Sequence, residues 1–237
     1  MTDTSPLRLA AACIPIRDSG AGAVEVLMVR RNPDLSFGGL WTFPGGVLED
    51  ADGPLPPDLD EATQHWGDPL LLTTAANGAA RETMEETALV CDVASLAWLS
   101  HWIPPLVGPP KRFATWFFLA PEHRGTLEVN PSENDDARWI GPSAALQACE
   151  QGEFPLTIPT WITLDDLQAT SSIPLLIDRC ISLGATRYHT RAIPSSGHRV
   201  MCWVEDAAYK TGDAETPGLR NRVRATPSGS VIERIRS

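Results

Sequence analysis

The chain has 237 residues, 43% of them hydrophobic and 21% charged, with a formal net charge of −11 at pH 7. That length and balance fit one large globular domain, or one domain with a helical extension, and exclude a disordered chain. The acidity argues against a general nucleic-acid binder, which needs a basic face to neutralise phosphates, and it means that an anionic substrate needs a metal ion to offset the local field.

No run of about 18 apolar residues exists, so no membrane-spanning helix and no membrane partner are expected. The first apolar run, 9–16, is short, carries Pro15 and follows a single basic residue, Arg8. It reads as a strand rather than a signal peptide. The cysteines, Cys13, Cys91, Cys149, Cys180 and Cys202, are odd in number and far apart. Reduced, mostly buried thiols in a cytoplasmic protein are expected, and a zinc site is not.

In chain order, residues 7–17 and 24–31 are rich in Val, Ile, Leu and Ala around a Gly-rich turn, which predicts a hairpin. Residues 32–40 form a loop. Trp41-Thr42-Phe43 is a short strand stopped by Pro44-Gly45-Gly46. Residues 53–76 carry repeated prolines and read as an irregular insertion, with one helical turn near 60–66. A helix is expected over 75–89, Ala- and carboxylate-rich and free of proline, with Asn77 as its cap. Strands follow at 94–102 and 113–120. A helix starts at Gly141-Pro142-Ser143, capped by Ser143, and two more lie near 159–168 and 174–183. Residues 199–205 form a strand. The end of the chain carries Arg220, Arg222, Arg224, Arg234 and Arg236 and reads as a solvated tail packed on an acidic surface, with a subunit contact or an anion site as the alternative.

The informative segment is Arg81-Glu82-Thr83-Met84-Glu85-Glu86-Thr87-Ala88-Leu89. On a helix Glu82, Glu85 and Glu86 stand at i, i+3 and i+4 and share one face. Three carboxylates on one stripe repel unless a cation sits among them. Oxygen ligands alone select a hard cation, Mg²⁺ or Mn²⁺. Arg81 can fix one carboxylate by a paired hydrogen bond. Upstream, Gly45 and Gly46 allow close approach of backbone to a ligand, and Asp52 follows Gly46 with five residues between. A solvated acidic helix face is the bland alternative.

These residues resemble the Nudix box: Gly, five residues, Glu, seven residues, then Arg-Glu-aliphatic-x-Glu-Glu-x-Gly-aliphatic. Gly46, Arg81, Glu82, Glu85, Glu86 and Leu89 match it. Asp52 stands where Glu is usual, Thr83 replaces an aliphatic residue and Ala88 replaces the closing Gly. Residues 53–80 number 28 where the pattern has seven. A box interrupted in this way is similar to the Nudix branch that includes the peroxisomal coenzyme A diphosphatases of animals and their bacterial relatives. The segments 43–48, 101–104 and 111–119 resemble that branch too, although Ala114 stands where the branch usually has Asp.

The resemblance implies an α+β fold, an α/β/α sandwich around a mixed sheet. It covers residues 1–150 as a Nudix domain with the insertion at 53–76, and leaves 151–237 as a helical and irregular extension packed on the same domain. It implies Mg²⁺ or Mn²⁺ held by Glu85 and Glu86, with Glu82 as ligand or base, an oxygen from Gly46, and Glu82 oriented by Arg81. A further carboxylate is expected from the loop before Trp139, Glu133 first and Asp136 second. Gly45, Gly46, Lys111 and Arg112 are the expected substrate contacts. Metal ions would neutralise the diphosphate and lower the pKa of the attacking water, and a carboxylate would accept its proton. Three readings follow. The first is a diphosphatase of coenzyme A or acyl-coenzyme A. The second takes ADP-ribose or a nucleotide sugar, with Pro104 and Pro105 as its hint. The third is a catalytically silent nucleotide-binding module. The family also allows a homodimer. The eight tryptophans read as core, with base stacking by Trp66 or Trp116 as the alternative.

Overall fold

The computed structural model describes residues 6–20, 22–35, 37–59, 63–106, 111–169, 172–195, 198–226 and 229–234. It divides into two compact units: residues 9–100 with 115–186, and residues 1–8, 101–114 and 187–237.

In the larger unit, β1 (Leu7–Asp18) and β2 (Val24–Arg31) are near-continuous apolar runs, as expected of strands covered on both faces. They pair antiparallel from Ile16↔Val26 to Asp18↔Val24. The turn between them is fixed by Gly20 at φ 77°, whose N–H donates to Asp18 Oδ1 at 2.8 Å. Pro15 has no N–H to give a ladder. It falls between the stretch of β1 paired with β4 (Gly45–Val47), Ala10 to Ala12, and the stretch paired with β2. β3 (Trp41–Thr42) and β9 (Asn134–Ile140) both pair antiparallel with β2. β6 (Ala97–Ile103) and β7 (Arg112–Ala120) extend the sheet beyond β1. β5 (Val90–Cys91) and β8 (His123–Arg124) form a separate pair.

The long helix α1 spans Pro69–Thr87 and contacts β4 and β5. It begins earlier than the sequence suggests. Asp68 caps it, accepting from Leu70 N and Leu71 N, and Pro69 occupies the first helical position, where its missing N–H costs nothing. Asn77 is therefore not the cap. It sits mid-helix and donates to Asp52 O at 2.9 Å. Residues 69–76 of the expected insertion are helical, and Trp66 is held by aromatics: Trp116 Nε1 donates to Trp66 O at 3.0 Å and Trp66 meets Trp98 edge-on at 4.9 Å. Trp116 is fully buried, in keeping with its core reading. Of the helical turn expected at 60–66, residues 60–62 lie outside the described residues and 63–66 are a turn and bend.

α2 (Pro142–Glu150) packs on β2 and on α3 (Ile158–Leu167). Its cap is Gly141, without a side-chain bond; Ser143 lies inside the helix and donates to Gln168 Oε1. Thr157 caps α3, and Ser172 caps α4 (Ile173–Leu183). All three helices carry Pro at their first or second position, which explains why the prolines announced them.

In the smaller unit, β10 (Thr186–His189) continues into Thr190, whose N–H donates to Ile103 O. The strands β11 (Arg191–Ser195), β12 (His198–Cys202), β13 (Asn221–Thr226) and β14 (Gly229–Arg234) form a four-stranded antiparallel sheet, with the short helix α5 (Ala208–Thr211) between β12 and β13. The expected solvated tail is thus corrected. Arg222 is fully buried, donates from Nε to Asp206 Oδ2 at 2.7 Å, and is held further by Ala214 O. Arg224 pairs with Glu233 across the hairpin. Arg236 lies outside the described residues. No helix among the described residues is long and apolar enough to cross a membrane.

Candidate active site

Helical spacing brings Glu82 and Glu86 to one face of α1, and Gly46 of β4 lies against it. A Cβ on Gly46 would collide with the Glu82 carboxylate. Gly45 is required by the sheet, because a Cβ there would strike Ala11 O and Ala12, and its N–H donates to Glu86 Oε2 at 3.1 Å. Gly46 thus lets the strand approach the Glu82 carboxylate closely.

The third carboxylate arrives by a different device. The last carbonyls of a helix lack intrahelical partners. Here Glu86 O accepts from Asn130 N (2.9 Å) and Thr87 O from Glu128 N (3.0 Å), so the loop before β9 is docked on the C-terminal end of α1. Asn32 N then donates to Glu133 O at 2.9 Å. The result is a trio: carboxylate oxygens of Glu82, Glu86 and Glu133 lie within 4.8 Å of one another. Their side chains are 12%, 1% and 36% exposed, so the group grades from buried to open.

Arg81 organises one side of the trio. It donates from Nε and Nη2 to the two Asp52 oxygens (2.7 and 3.0 Å), from Nη2 to Val47 O (3.2 Å), and from Nη1 to Glu82 and Glu85 (3.0 Å each). Glu85 is 42% exposed, is held by Arg81 and lies outside the trio. On the other side, Arg31 Nη1 lies 3.1 Å from Glu86 Oε1 and 3.7 Å from Glu133 Oε2. Asp135 pairs with Arg30, and Asp136 with Arg138, so the second-choice carboxylate of this loop is otherwise engaged. Lys111 and Arg112 belong to the smaller unit; Lys111 is exposed and Arg112 buried.

The electrostatics follow from burial. Desolvation pushes the Glu86 carboxyl up to about 7, against the pull of Arg31, the Asn134 amide and the Gly45 N–H. Desolvation also raises Glu82, against Arg81. Three carboxylates converging beside a glycine backbone fit a hard divalent ion.

The departures from the usual box are all accommodated locally. Asp52 is buried, its Oδ2 accepts from Glu49 N at 2.8 Å, and Gly78 makes room for it: a Cβ there would come within 2.9 Å of Asp52 Oδ2 and 2.5 Å of Leu48. Thr83, in an aliphatic position, is fully buried and returns its hydroxyl to Ala79 O at 2.8 Å. Ala88, in the place of Gly, ends α1 at φ 58°, ψ 8°, the left-handed conformation that Gly adopts without strain.

Sequence reasoning missed Arg31 and the anchoring role of Asp52. A charged residue closing an otherwise apolar strand was the signal for Arg31; for Asp52 it was the five-residue spacing from Gly46.

No protein-family model matches the chain, and no curated protein matches it. Solved structures do. A Nudix hydrolase from Alicyclobacillus acidocaldarius is 24% identical over 73% of this chain and 96% of its own, with a TM-score of 0.59. A MutT Nudix hydrolase from Burkholderia pseudomallei is 18% identical over 68% of this chain and 98% of its own, with a TM-score of 0.47. On the first of these likenesses, the chain has the fold of the Nudix hydrolases.

Proposed function

We propose that the protein is a divalent-metal-dependent diphosphatase, cleaving the phosphate–phosphate bond of a nucleoside diphosphate linked to another group. The observation that carries this reading is the Glu82–Glu86–Glu133 trio against the bare backbone of Gly46 in a chain of Nudix fold. Glu82, Glu86 and Glu133 would hold Mg²⁺ or Mn²⁺, with Glu85 as a further carboxylate on the same helix and an oxygen from Gly46. When bound, the ion neutralises the diphosphate and acidifies the attacking water.

The chain's own groups do the rest. Arg81, locked by Asp52, orients Glu82. The Gly45 N–H orients Glu86. Glu133 is the most exposed of the trio, which supports it as the carboxylate that would accept the proton of the attacking water. Gly45 and Gly46 admit the substrate's phosphates close to the backbone; the sequence resemblance is what supports Lys111 and Arg112 as further substrate contacts.

For the substrate we favour coenzyme A or an acyl-coenzyme A. The support is in the sequence: the interrupted box, and the segments 43–48 and 111–119. The test is hydrolysis with Mg²⁺ or Mn²⁺ of coenzyme A, an acyl-coenzyme A, ADP-ribose, NADH and a dinucleoside polyphosphate. Preference for the coenzyme A pair, with release of 3′,5′-ADP, is expected. Preference for ADP-ribose would keep the chemistry and discard the substrate; silence on all five would shift the reading to a nucleotide-binding module or to a substrate outside the panel.

A further inference from the structure

We propose that Arg31 is the built-in counter-cation of the carboxylate site: it holds Glu86 and Glu133 together in the metal-free protein and competes with the divalent ion for them. This rests on the reading of Glu82, Glu86 and Glu133 as the metal site.

The geometry is built rather than incidental. Arg30 and Arg31 are neighbours at the end of β2, where alternation sends successive side chains to opposite faces. Arg30 goes to Asp135 and lies over the Trp41 ring, 5.7 Å from its centroid. The ladder with β9 is irregular between Arg30 and Arg31, and a bulge of this kind re-aims a side chain. The Arg31 backbone is fixed on the other side by Leu40 O, which accepts from its N–H at 3.0 Å, and by Gly39 N, which donates to its carbonyl at 2.8 Å. Its guanidinium then reaches both Glu86 and Glu133.

The division of labour between the two arginines sharpens the point. Arg81 commits its Nε and Nη2 to Asp52 and Val47 O, and its Nη1 serves Glu82 and Glu85. Among the described residues, the ion pairs of Glu86 and Glu133 are with Arg31. Glu86 is nearly inaccessible to water, so without Arg31 its charge would rely on neutral donors such as the Gly45 N–H. A divalent ion held by these carboxylates would supply the same compensation and would repel the guanidinium. Removing the positive charge should therefore tighten ion binding. A purely structural role predicts the opposite, because a disordered ligand set binds an ion less well.

The experiment uses the full chain and Mn²⁺, with free Mn²⁺ read by its electron paramagnetic resonance signal. Arg31→Gln is expected to bind Mn²⁺ about tenfold more tightly than the wild type, and to melt at a lower temperature than the wild type without the ion and recover with it. Arg31→Lys, which keeps the charge, should bind close to wild type. Equal or weaker binding by Arg31→Gln overturns the proposal, and so does equal tightening in both variants. Wild-type protein that does not bind Mn²⁺ overturns the metal-site reading itself. A gain absent only in the variant leaves that reading standing. Should Arg31→Gln fail to fold, the wild type decides: the Arg31 Nε–H resonance, assigned by its loss in Arg31→Lys, should move with Mg²⁺ saturation. A static resonance overturns the proposal.

Discussion

The Arg81 guanidinium lies edge to edge with the Asp52 carboxylate, Nε 2.7 Å from Oδ1 and Nη2 3.0 Å from Oδ2. This pair joins the loop after β4 to the carboxylate face of α1 across a long stretch of intervening sequence, and leaves Nη1 for Glu82. Burial alone would raise the Asp52 carboxyl; Arg81 and the Glu49 N–H outweigh it and hold it below the usual range. Asp52→Asn should cost about 3 kcal/mol, read by urea unfolding. The folded pKa is lowered, so the contribution is present above the unfolded value near 4 and fades as pH falls through the folded one. The variant should therefore lose part of the wild type's acid sensitivity. An unchanged unfolding midpoint would remove Asp52 as the anchor of Arg81.

Glu86 predicts the opposite pH behaviour. Its carboxyl is raised from 4.5 to about 7 by burial. A raised folded pKa gives stability that is full below the unfolded value and lost as pH climbs through about 7. Metal-free protein should thus lose on the order of 3 kcal/mol from this group between pH 4.5 and pH 8. The thermal gain on adding Mg²⁺ should grow over the same range, because the ion favours the charged form. Glu86→Gln should flatten both curves. A wild-type thermal gain independent of pH would contradict the account.

At the C-terminal end of α1, Ala88 holds a left-handed conformation. Ala88→Gly should stabilise the protein by about 1 kcal/mol by relieving that strain, measured as a higher urea midpoint at unchanged slope. A lower midpoint would mean that the Ala88 side chain packs better than its backbone suffers.

The helices and the hairpin were legible because their signals are local: apolar runs, Gly-rich turns, and prolines at helix starts. The carboxylate trio was half legible. Glu82 and Glu86 are set by helical spacing, but Glu133 reaches them through backbone bonds between the 128–134 loop and the carbonyls of Glu86 and Thr87, which no residue pattern encodes. Asp68 was overlooked as a cap because the prolines before it suggested a break. The last sheet was misread because its arginines looked solvated; charge alone does not show that Asp206 sits opposite Arg222.

That buried pair carries its own prediction. Asp206 also accepts from Asn221 N and Ala208 N at 2.8 Å each, so it ties β13 to the segment before α5. Asp206→Ala leaves the Arg222 charge without its partner and should destabilise by about 3–5 kcal/mol. The double change to Asp206→Ala with Arg222→Met should recover much of that loss, seen by thermal melting. A single variant as stable as the wild type would show that the pair contributes nothing.

The most direct test of the central claim is the rate of diphosphate cleavage with Mn²⁺, and with the ion chelated, for the wild type, Glu82→Gln and Glu86→Gln. The wild type should lose activity on chelation and regain it with Mn²⁺, and each variant should fall by on the order of 10²-fold or more while keeping its far-ultraviolet circular dichroism. Cleavage that survives chelation, or a folded variant as fast as the wild type, would contradict the account.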